Sequence, residues 1–225
     1  MRSKSIARIC GVLYIVTVLA FLVSNLILKA QLVNAEDTPG TFNHVADHAS
    51  RYRLAVSIDF LAMVGVMALA FSLYTILKPV NPYLALLALG WRIGEVVLQA
   101  GAKVPDYLLL DLSKSAATVS SGEIADMERL GDMLINGSMQ ALGLSFVFLS
   151  VGSLVNNFLF YKSNTIPTAL ASSGLIGTGS YTLGSLFLIA GLPDGAALGL
   201  MFPLVLFELS LGVYLVVFGI KEKVS

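Results

Sequence analysis

Apolar residues run in long stretches along this chain, and polar residues collect between them. Six stretches reach the roughly 20 helical residues that cross a hydrocarbon core of about 30 Å. Because lipid offers backbone polar groups no partner, each stretch is predicted to be an α-helix. The predicted spans cover residues 9–28, 54–77, 83–103, 138–161, 166–190 and 197–219. The expected fold is an all-α integral membrane bundle of six transmembrane helices, forming a single domain over residues 1–225.

Lysine and arginine indicate the orientation of these helices. With the N-terminus in the cytoplasm, seven of these residues fall in inside segments of about 23 residues, and six fall in outside segments of about 65 residues. The positive-inside rule therefore predicts that both termini are cytoplasmic. The alternative for the first stretch is a signal peptide cleaved after Val33-Asn34-Ala35, which would leave five spans. Its apolar part exceeds the usual length of about 7–15 residues, which favours a retained helix.

Two long connections on the outer side carry amphipathic patterns. Residues 41–53 predict a short helix that runs into the second span, and residues 123–134 predict another. Their apolar sides consist of Phe42, Val45, Ala49 and Tyr52 in the first and Ile124, Met127, Leu130 and Leu134 in the second. Both short helices are expected to be extracytoplasmic, lying on the membrane surface or over the bundle.

Composition agrees with a membrane protein. Hydrophobic residues make up 56% of the 225 residues, charged residues make up 12%, and the mean hydropathy is +0.84. These values exclude an ordinary soluble domain. The formal net charge of zero leaves no basic patch for a nucleic acid, so the expected partner is the lipid bilayer. The single cysteine, Cys10, excludes an internal disulfide and is interpreted as a packing residue.

The third predicted span contains a charged stripe. Arg92, Glu95 and Gln99 follow one another at spacings of three and four residues, which places them on one helical face, and Lys103 continues the line. A charged side chain at the bilayer centre costs roughly 2.5–3.5 kcal/mol on insertion scales. Such residues are therefore expected to face the protein interior and to be functional candidates.

Two further carboxylates lie inside predicted spans. Asp59 lies near the outer end of the second span, and Glu208 lies mid-span in the sixth, five residues after Pro203. Asp59, Glu95 and Glu208 against Arg92 leave two unbalanced negative charges, provided that the three acids converge. A buried carboxylate without a partner takes a proton or recruits a cation. The alternative is an ion-pair network that only fixes helix packing.

Two other patterns are interpreted as structural. His44 and His48 are one helical turn apart and form a weak candidate for a metal site, although no third ligand is evident. A solvated polar face is the preferred interpretation. The glycines of the fifth span, Gly174, Gly177, Gly179 and Gly184, lack the strand and the spacing of a phosphate-binding loop, and they predict close helix packing.

Several short motifs carry a resemblance to a known family. They are Ala7-Arg8-Ile9 with Gly11 and Tyr14, Tyr52-Arg53-Leu54 with Asp59, Leu73-Tyr74, Leu77-Lys78-Pro79-Val80-Asn81, Arg92 with Glu95, and Tyr161-Lys162-Ser163 with Ile166-Pro167. On these residues the chain resembles a bacterial multi-pass membrane family, domain-of-unknown-function family 4386. The resemblance implies a bacterial cytoplasmic (inner) membrane protein of similar helix count. It implies no substrate, cofactor or catalytic residue.

The leading functional hypothesis is binding or transport of a proton, a small cation or a cationic solute. The residues expected to carry it are Asp59, Arg92, Glu95, Gln99 and Glu208. A second hypothesis is a structural or regulatory subunit whose buried charges lock helix packing. A third is an intramembrane enzyme that uses the acids as proton donors or metal ligands. The sequence identifies no cofactor, no protein partner and no oligomeric state.

Overall fold

The computed structural model describes residues 2–116, 121–191 and 194–221. Within these ranges the chain forms seven α-helices and one π-helical segment, and it forms no β-strand. In chain order the elements are α1 (Arg2–Leu22), the π-helical segment (Val23–Lys29), α2 (Thr38–Asp47), α3 (Ala49–Leu77), α4 (Pro82–Ala116), α5 (Ser121–Ser163), α6 (Thr168–Ile189) and α7 (Asp194–Val217). The predicted all-α class is confirmed for the described residues.

Five helical stretches are long and apolar enough to cross a membrane. They are Lys4–Lys29, Ala49–Leu77, Pro82–Ala116, Glu123–Ser163 and Gly195–Val217. They coincide with five of the six predicted spans. The remaining predicted span, residues 166–190, corresponds to α6, which has 22 residues but is rich in glycine, serine and threonine. Helix α6 is therefore not among the five stretches that are long and apolar enough to cross a membrane.

Local backbone chemistry explains where several helices begin and end. Asn81 Oδ1 accepts hydrogen bonds from the backbone N–H groups of Tyr83 and Leu84, at 3.1 and 3.0 Å, and so caps the start of α4. Gly191 and Gly219 follow α6 and α7 with φ values of +69° and +70°. This left-handed conformation is accessible to glycine and ends a helix sharply.

The first predicted outer helix is divided into two elements. Helix α2 ends at Asp47 and α3 begins at Ala49, because His48 has a non-helical backbone with φ −114° and ψ 34°. The expected apolar side is nevertheless buried: Phe42 and Val45 are in the core, and Tyr52 joins them from α3. The extracytoplasmic location of α2 stays a prediction.

The second predicted outer helix is not a separate element. Residues 123–134 form part of α5, which continues through 43 residues to Ser163. At 1.5 Å per residue α5 is about 65 Å long, roughly twice the thickness of a hydrocarbon core. Leu130, expected on the apolar side, is 46% exposed. Gly131 is buried instead, because Phe42 occupies the space that a side chain there would fill.

The chain divides into two compact units. The first comprises Met1–Val18, Val64–Val97 and Gly143–Ser225, and the second comprises Leu19–Met63 and Leu98–Leu142. The single transmembrane domain expected from the sequence stays a prediction.

Glycines bring helices of the first unit together. A Cβ atom on Gly11 of α1 would lie 2.6 Å from the carbonyl oxygen of Gly212 in α7, so the two backbones are in contact. Helices α6 and α7 meet in the same way at Gly177 and Gly184. Ser180 strengthens this contact by donating a hydrogen bond to the carbonyl oxygen of α7 residue 200 at 2.6 Å. The close packing expected of the α6 glycines is confirmed at Gly174, Gly177 and Gly184, whereas a Cβ atom on Gly179 would have no neighbour within 4 Å.

An apolar core fills the second unit. Its buried residues come from α2, α3, α4, α5 and the connection after the π-helical segment. They are Leu32, Phe42, Val45, Tyr52, Val56, Leu109, Leu110 and Ile135. The core therefore anchors the short helix α2 to three long helices, which is why α2 is ordered despite having only 10 residues.

Replacement of Gly11 by alanine is expected to destabilise the protein. The added methyl group forces the backbones of α1 and α7 apart, at a cost of about 1–3 kcal/mol. The matched control is Gly199→Ala in α7, where a Cβ atom has no neighbour within 4 Å. Thermal unfolding in detergent measures both variants. Equal melting temperatures for Gly11→Ala and Gly199→Ala would contradict the proposed helix contact.

Candidate functional site

The charged stripe of α4 forms a buried ion pair. Arg92 Nη1 lies 2.9 Å from Glu95 Oε2, one helical turn further along, and the side chains are only 4% and 1% exposed. Gly152 of α5 makes room for the arginine, because a Cβ atom there would lie 3.2 Å from the Cγ and Cδ atoms of Arg92. The pairing of Arg92 with an acid, expected from the sequence, is therefore present within one helix.

Ionisable side chains from three other helices surround this pair in the first unit. Helix α1 contributes Cys10 and Tyr14, α6 contributes Tyr181, and α7 contributes Glu208; each of them interacts with the charge of Arg92. We call the following residues the Arg92 cluster: Cys10, Tyr14, Arg92, Glu95, Tyr181 and Glu208. Both tyrosines and the cysteine are buried, whereas Glu208 is half-buried.

The Arg92 cluster contains two carboxylates and one guanidinium. The pairing of Arg92 with Glu95 leaves one further acid, Glu208, whose carboxylate interacts with the same Arg92. With both acids ionised the cluster has a net charge of −1. In surroundings of low polarity such an excess charge favours uptake of a proton or a cation. The cluster is thus suited chemically to bind a positive species.

Packing holds the site residues in place. The indole of Trp91 meets the ring of Phe148 edge to face, with centroids 4.9 Å apart, next to the arginine. Tyr181 meets Phe146 in the same geometry at 5.8 Å. These contacts connect α4 and α6 to α5, so a change in the charge of the cluster is expected to alter the environment of Trp91.

A second cluster of buried charges lies in the second unit. Lys29 Nζ is 2.8 Å from an oxygen of Asp59 and 2.8 Å from one of Asp106. Lys103 Nζ bridges the same two carboxylate oxygens at 2.8 and 3.2 Å. We call these four residues the lysine–aspartate cluster. Two ammonium groups alternate with two carboxylates, so the cluster is neutral.

Neutral donors complete the lysine–aspartate cluster. Asn25 donates to Asp59 Oδ1 at 3.3 Å, and Ser138 of α5 donates to Asp106 Oδ1 at 2.9 Å. Asn25 and Lys29 both belong to the π-helical segment, in which Ala30 N–H donates to the carbonyl oxygen of Asn25, five residues back. Such wide turns occur frequently at functional sites. Here the segment supplies two side chains to one cluster.

The structure distributes the predicted site residues between the two units. Arg92, Glu95 and Glu208 belong to the Arg92 cluster, whereas Asp59 and Gln99 lie in the second unit. The expectation that Asp59 carries an unbalanced charge is wrong, because Lys29 and Lys103 neutralise it. Gln99 is half-buried on α4.

The sequence does not reveal two members of the lysine–aspartate cluster, Lys29 and Asp106. The predicted spans leave both residues in connections, although both occupy helical positions. The spacing of Lys103 and Asp106, three residues apart on one helix, is a signal that would have indicated an ion pair. Tyr181 is one of three hydroxyl residues on one helix that could face a polar interior, with Thr178 and Ser185, although packing is the preferred interpretation. Tyr14 has no comparable signal.

The histidine pair does not form a metal centre with other side chains in the described residues. His48 Nδ1 lies 3.1 Å from the backbone carbonyl oxygen of His44, so its ring is directed at the helix end. Among residues 2–116, 121–191 and 194–221, no three histidine, cysteine, aspartate or glutamate side chains come together in a group suited to a metal ion.

Comparison with known proteins assigns the chain to a family. The family described as "Domain of unknown function (DUF4386)" matches residues 9–219. No curated protein and no solved structure matches the chain. The family match covers nearly all of the 225 residues, and the five long apolar helices agree with the membrane character expected above. The chain is thus a multi-pass membrane protein that belongs to the Domain of unknown function (DUF4386) family.

Proposed function

We propose that this membrane protein binds a proton or a small cation at the Arg92 cluster, and that binding drives transport or sensing. The observation that carries the proposal is the ratio of two carboxylates, buried Glu95 and half-buried Glu208, to one guanidinium. Ionisable side chains within a membrane are energetically costly, and in membrane proteins they mark ion or proton pathways. Because of the excess carboxylate, the cluster can bind and release a proton or a small cation.

A proton fits this site better than a large cationic solute. Arg92 is 3% exposed and Glu95 is 1% exposed, so the pair is closed to bulky ligands. A proton needs no cavity, and its binding to one carboxylate leaves a balanced ion pair behind. Four different helices, α1, α4, α6 and α7, contribute ionisable groups to the cluster, so a change of its charge acts on the packing of all four.

We further propose that α6 is a sixth span and that both termini are cytoplasmic. Its length of 22 residues supports this, because about 20 helical residues cross a bilayer core. The close contact of α6 with the apolar helix α7 supports it as well. The higher density of lysine and arginine in the short connections supports the orientation. The family resemblance supports a bacterial cytoplasmic membrane.

Fluorescence of Trp91, the only tryptophan, is expected to report titration of the Arg92 cluster between about pH 5 and 9. In wild type we expect one transition, because the excess carboxylate gains a proton as the pH falls. Glu208→Gln and Glu95→Gln are each expected to abolish it, because either substitution leaves one acid for one guanidinium. The measurement is a fluorescence titration of the detergent-solubilised protein.

The matched control for this titration is Asp111→Asn, which removes an exposed carboxylate from α4, the helix that also carries Trp91 and Glu95. This variant should retain the wild-type transition. A flat response in wild type, or a transition that survives both glutamine substitutions, would rule out a titrating Arg92 cluster and leave a structural ion pair.

The neutral lysine–aspartate cluster favours a second candidate function, that of a structural or regulatory subunit. Its four charges balance, and its partners come from the π-helical segment, α3, α4 and α5. A balanced network of this kind has no need of a bound ion and fixes the relative register of the helices that supply it. In this interpretation the charges of the chain serve packing alone.

Lys103→Met is expected to destabilise the protein by about 3–5 kcal/mol, because it leaves two buried carboxylates with one ammonium group. The double variant Lys103→Met with Asp106→Asn restores the balance and should be more stable than Lys103→Met alone. Unfolding by a denaturing detergent measures the difference. The control is Lys114→Met, an exposed lysine of α4. Additive losses in the double variant would contradict a charge-balanced network.

A further inference from the structure

We infer that Glu208 is the residue that accepts the exchangeable proton, while Arg92 and Glu95 remain a permanent ion pair. This inference rests on the proposed function and specifies which group changes its charge. The first argument is connectivity. Arg92 and Glu95 belong to the same helix, three residues apart and 2.9 Å from each other, so the rigid α4 backbone fixes their separation. Glu208 belongs to α7, and its separation from Arg92 depends on how α7 packs.

The second argument is access. Glu95 is 1% exposed, whereas Glu208 is half-buried. Glu208 is therefore the less enclosed of the two carboxylates, and a proton reaches it with a smaller displacement of neighbouring side chains than it needs to reach Glu95. Removing the charge of Glu95 instead would leave Arg92 without its closest partner.

The third argument is the backbone of α7. Pro203 lies inside this helix, five residues before Glu208, and it has no N–H group to donate to the preceding turn. Proline inside a helix is a common point of bending. When Glu208 is ionised, its attraction to Arg92 holds α7 against α4. When Glu208 is protonated, that attraction is lost, and the contact of α7 with α4 is weakened on the C-terminal side of Pro203.

The groups that face Glu208 agree with this assignment. Arg92 and Glu95 face it from α4, Tyr14 from α1 and Tyr181 from α6. Phe148 and Gly152 of α5, which adjoin the pair, carry no ionisable group. The tyrosine hydroxyls are able to donate hydrogen bonds to an ionised carboxylate and to accept one from a protonated carboxyl. Two neutral groups that interact with Glu208, Tyr14 and Tyr181, are therefore chemically compatible with both of its states.

Infrared difference spectroscopy tests the assignment in the full chain. Lowering the pH from about 9 to 5 should produce a carboxylic acid C=O band that shifts in D₂O. Glu208→Asp keeps the charge but changes the carbonyl environment, so it is expected to move this band. The matched variant Glu95→Asp is expected to leave the position of the band unchanged, and Asp111→Asn serves as the exposed control.

The outcomes separate this inference from the proposed function. A band that moves with Glu208→Asp alone supports the assignment. A band that moves with Glu95→Asp, with both variants or with neither overturns the assignment while leaving proton binding in place. The absence of any band in wild type overturns both the assignment and the proposed function.

Discussion

The cost of a charge in an apolar environment constrains this molecule more than any other interaction. A side chain such as Arg92 or Asp59 within a span needs compensation, either from an opposite charge beside it or from a bound proton or cation. The two units meet this requirement differently. The second unit balances two ammonium groups with two carboxylates, and the first holds two carboxylates for one guanidinium. Charge balance therefore separates a cluster suited to packing from a cluster suited to exchange.

Small residues provide the second condition on which the first unit depends. Gly11 and Gly212 bring the backbones of α1 and α7 into contact, and Gly152 gives space to the stem of Arg92. Without a hydrophobic driving force between helices in lipid, such close contacts supply much of the packing energy. The same glycines bring Tyr14 and Glu208 close enough to share one site. In this unit the same close helix contacts therefore provide the packing and bring the ionisable groups together.

Much of the fold could be predicted from the sequence, because runs of about 20 apolar residues leave few alternatives to helices. The site could be predicted only in part. The spacing of Arg92 and Glu95 places both on one helical face, since neighbours on one helix follow from sequence alone, but it does not show which acid pairs with Arg92. Lys29 and Asp59 are 30 residues apart, and only the packing of different helices brings them together. The structure extends α4 from the predicted end at residue 103 to Ala116, because polar residues such as Asp106 and Asp111 resemble a connection in the sequence.

The π-helical segment Val23–Lys29 also has an evolutionary consequence. Each of its hydrogen-bonded turns encloses one residue more than a turn of α-helix, as the bond from Ala30 to Asn25 shows. The segment can therefore be regarded as an α-helix that has absorbed a single inserted residue. Deletion of one residue here would restore an ordinary helix without reversing the lipid-facing and protein-facing sides of its flanks. A deletion inside a transmembrane helix normally disrupts the faces that the helix presents. In the π-helical segment a deletion of one residue would instead change the position of Lys29 and leave the rest of the span as it is.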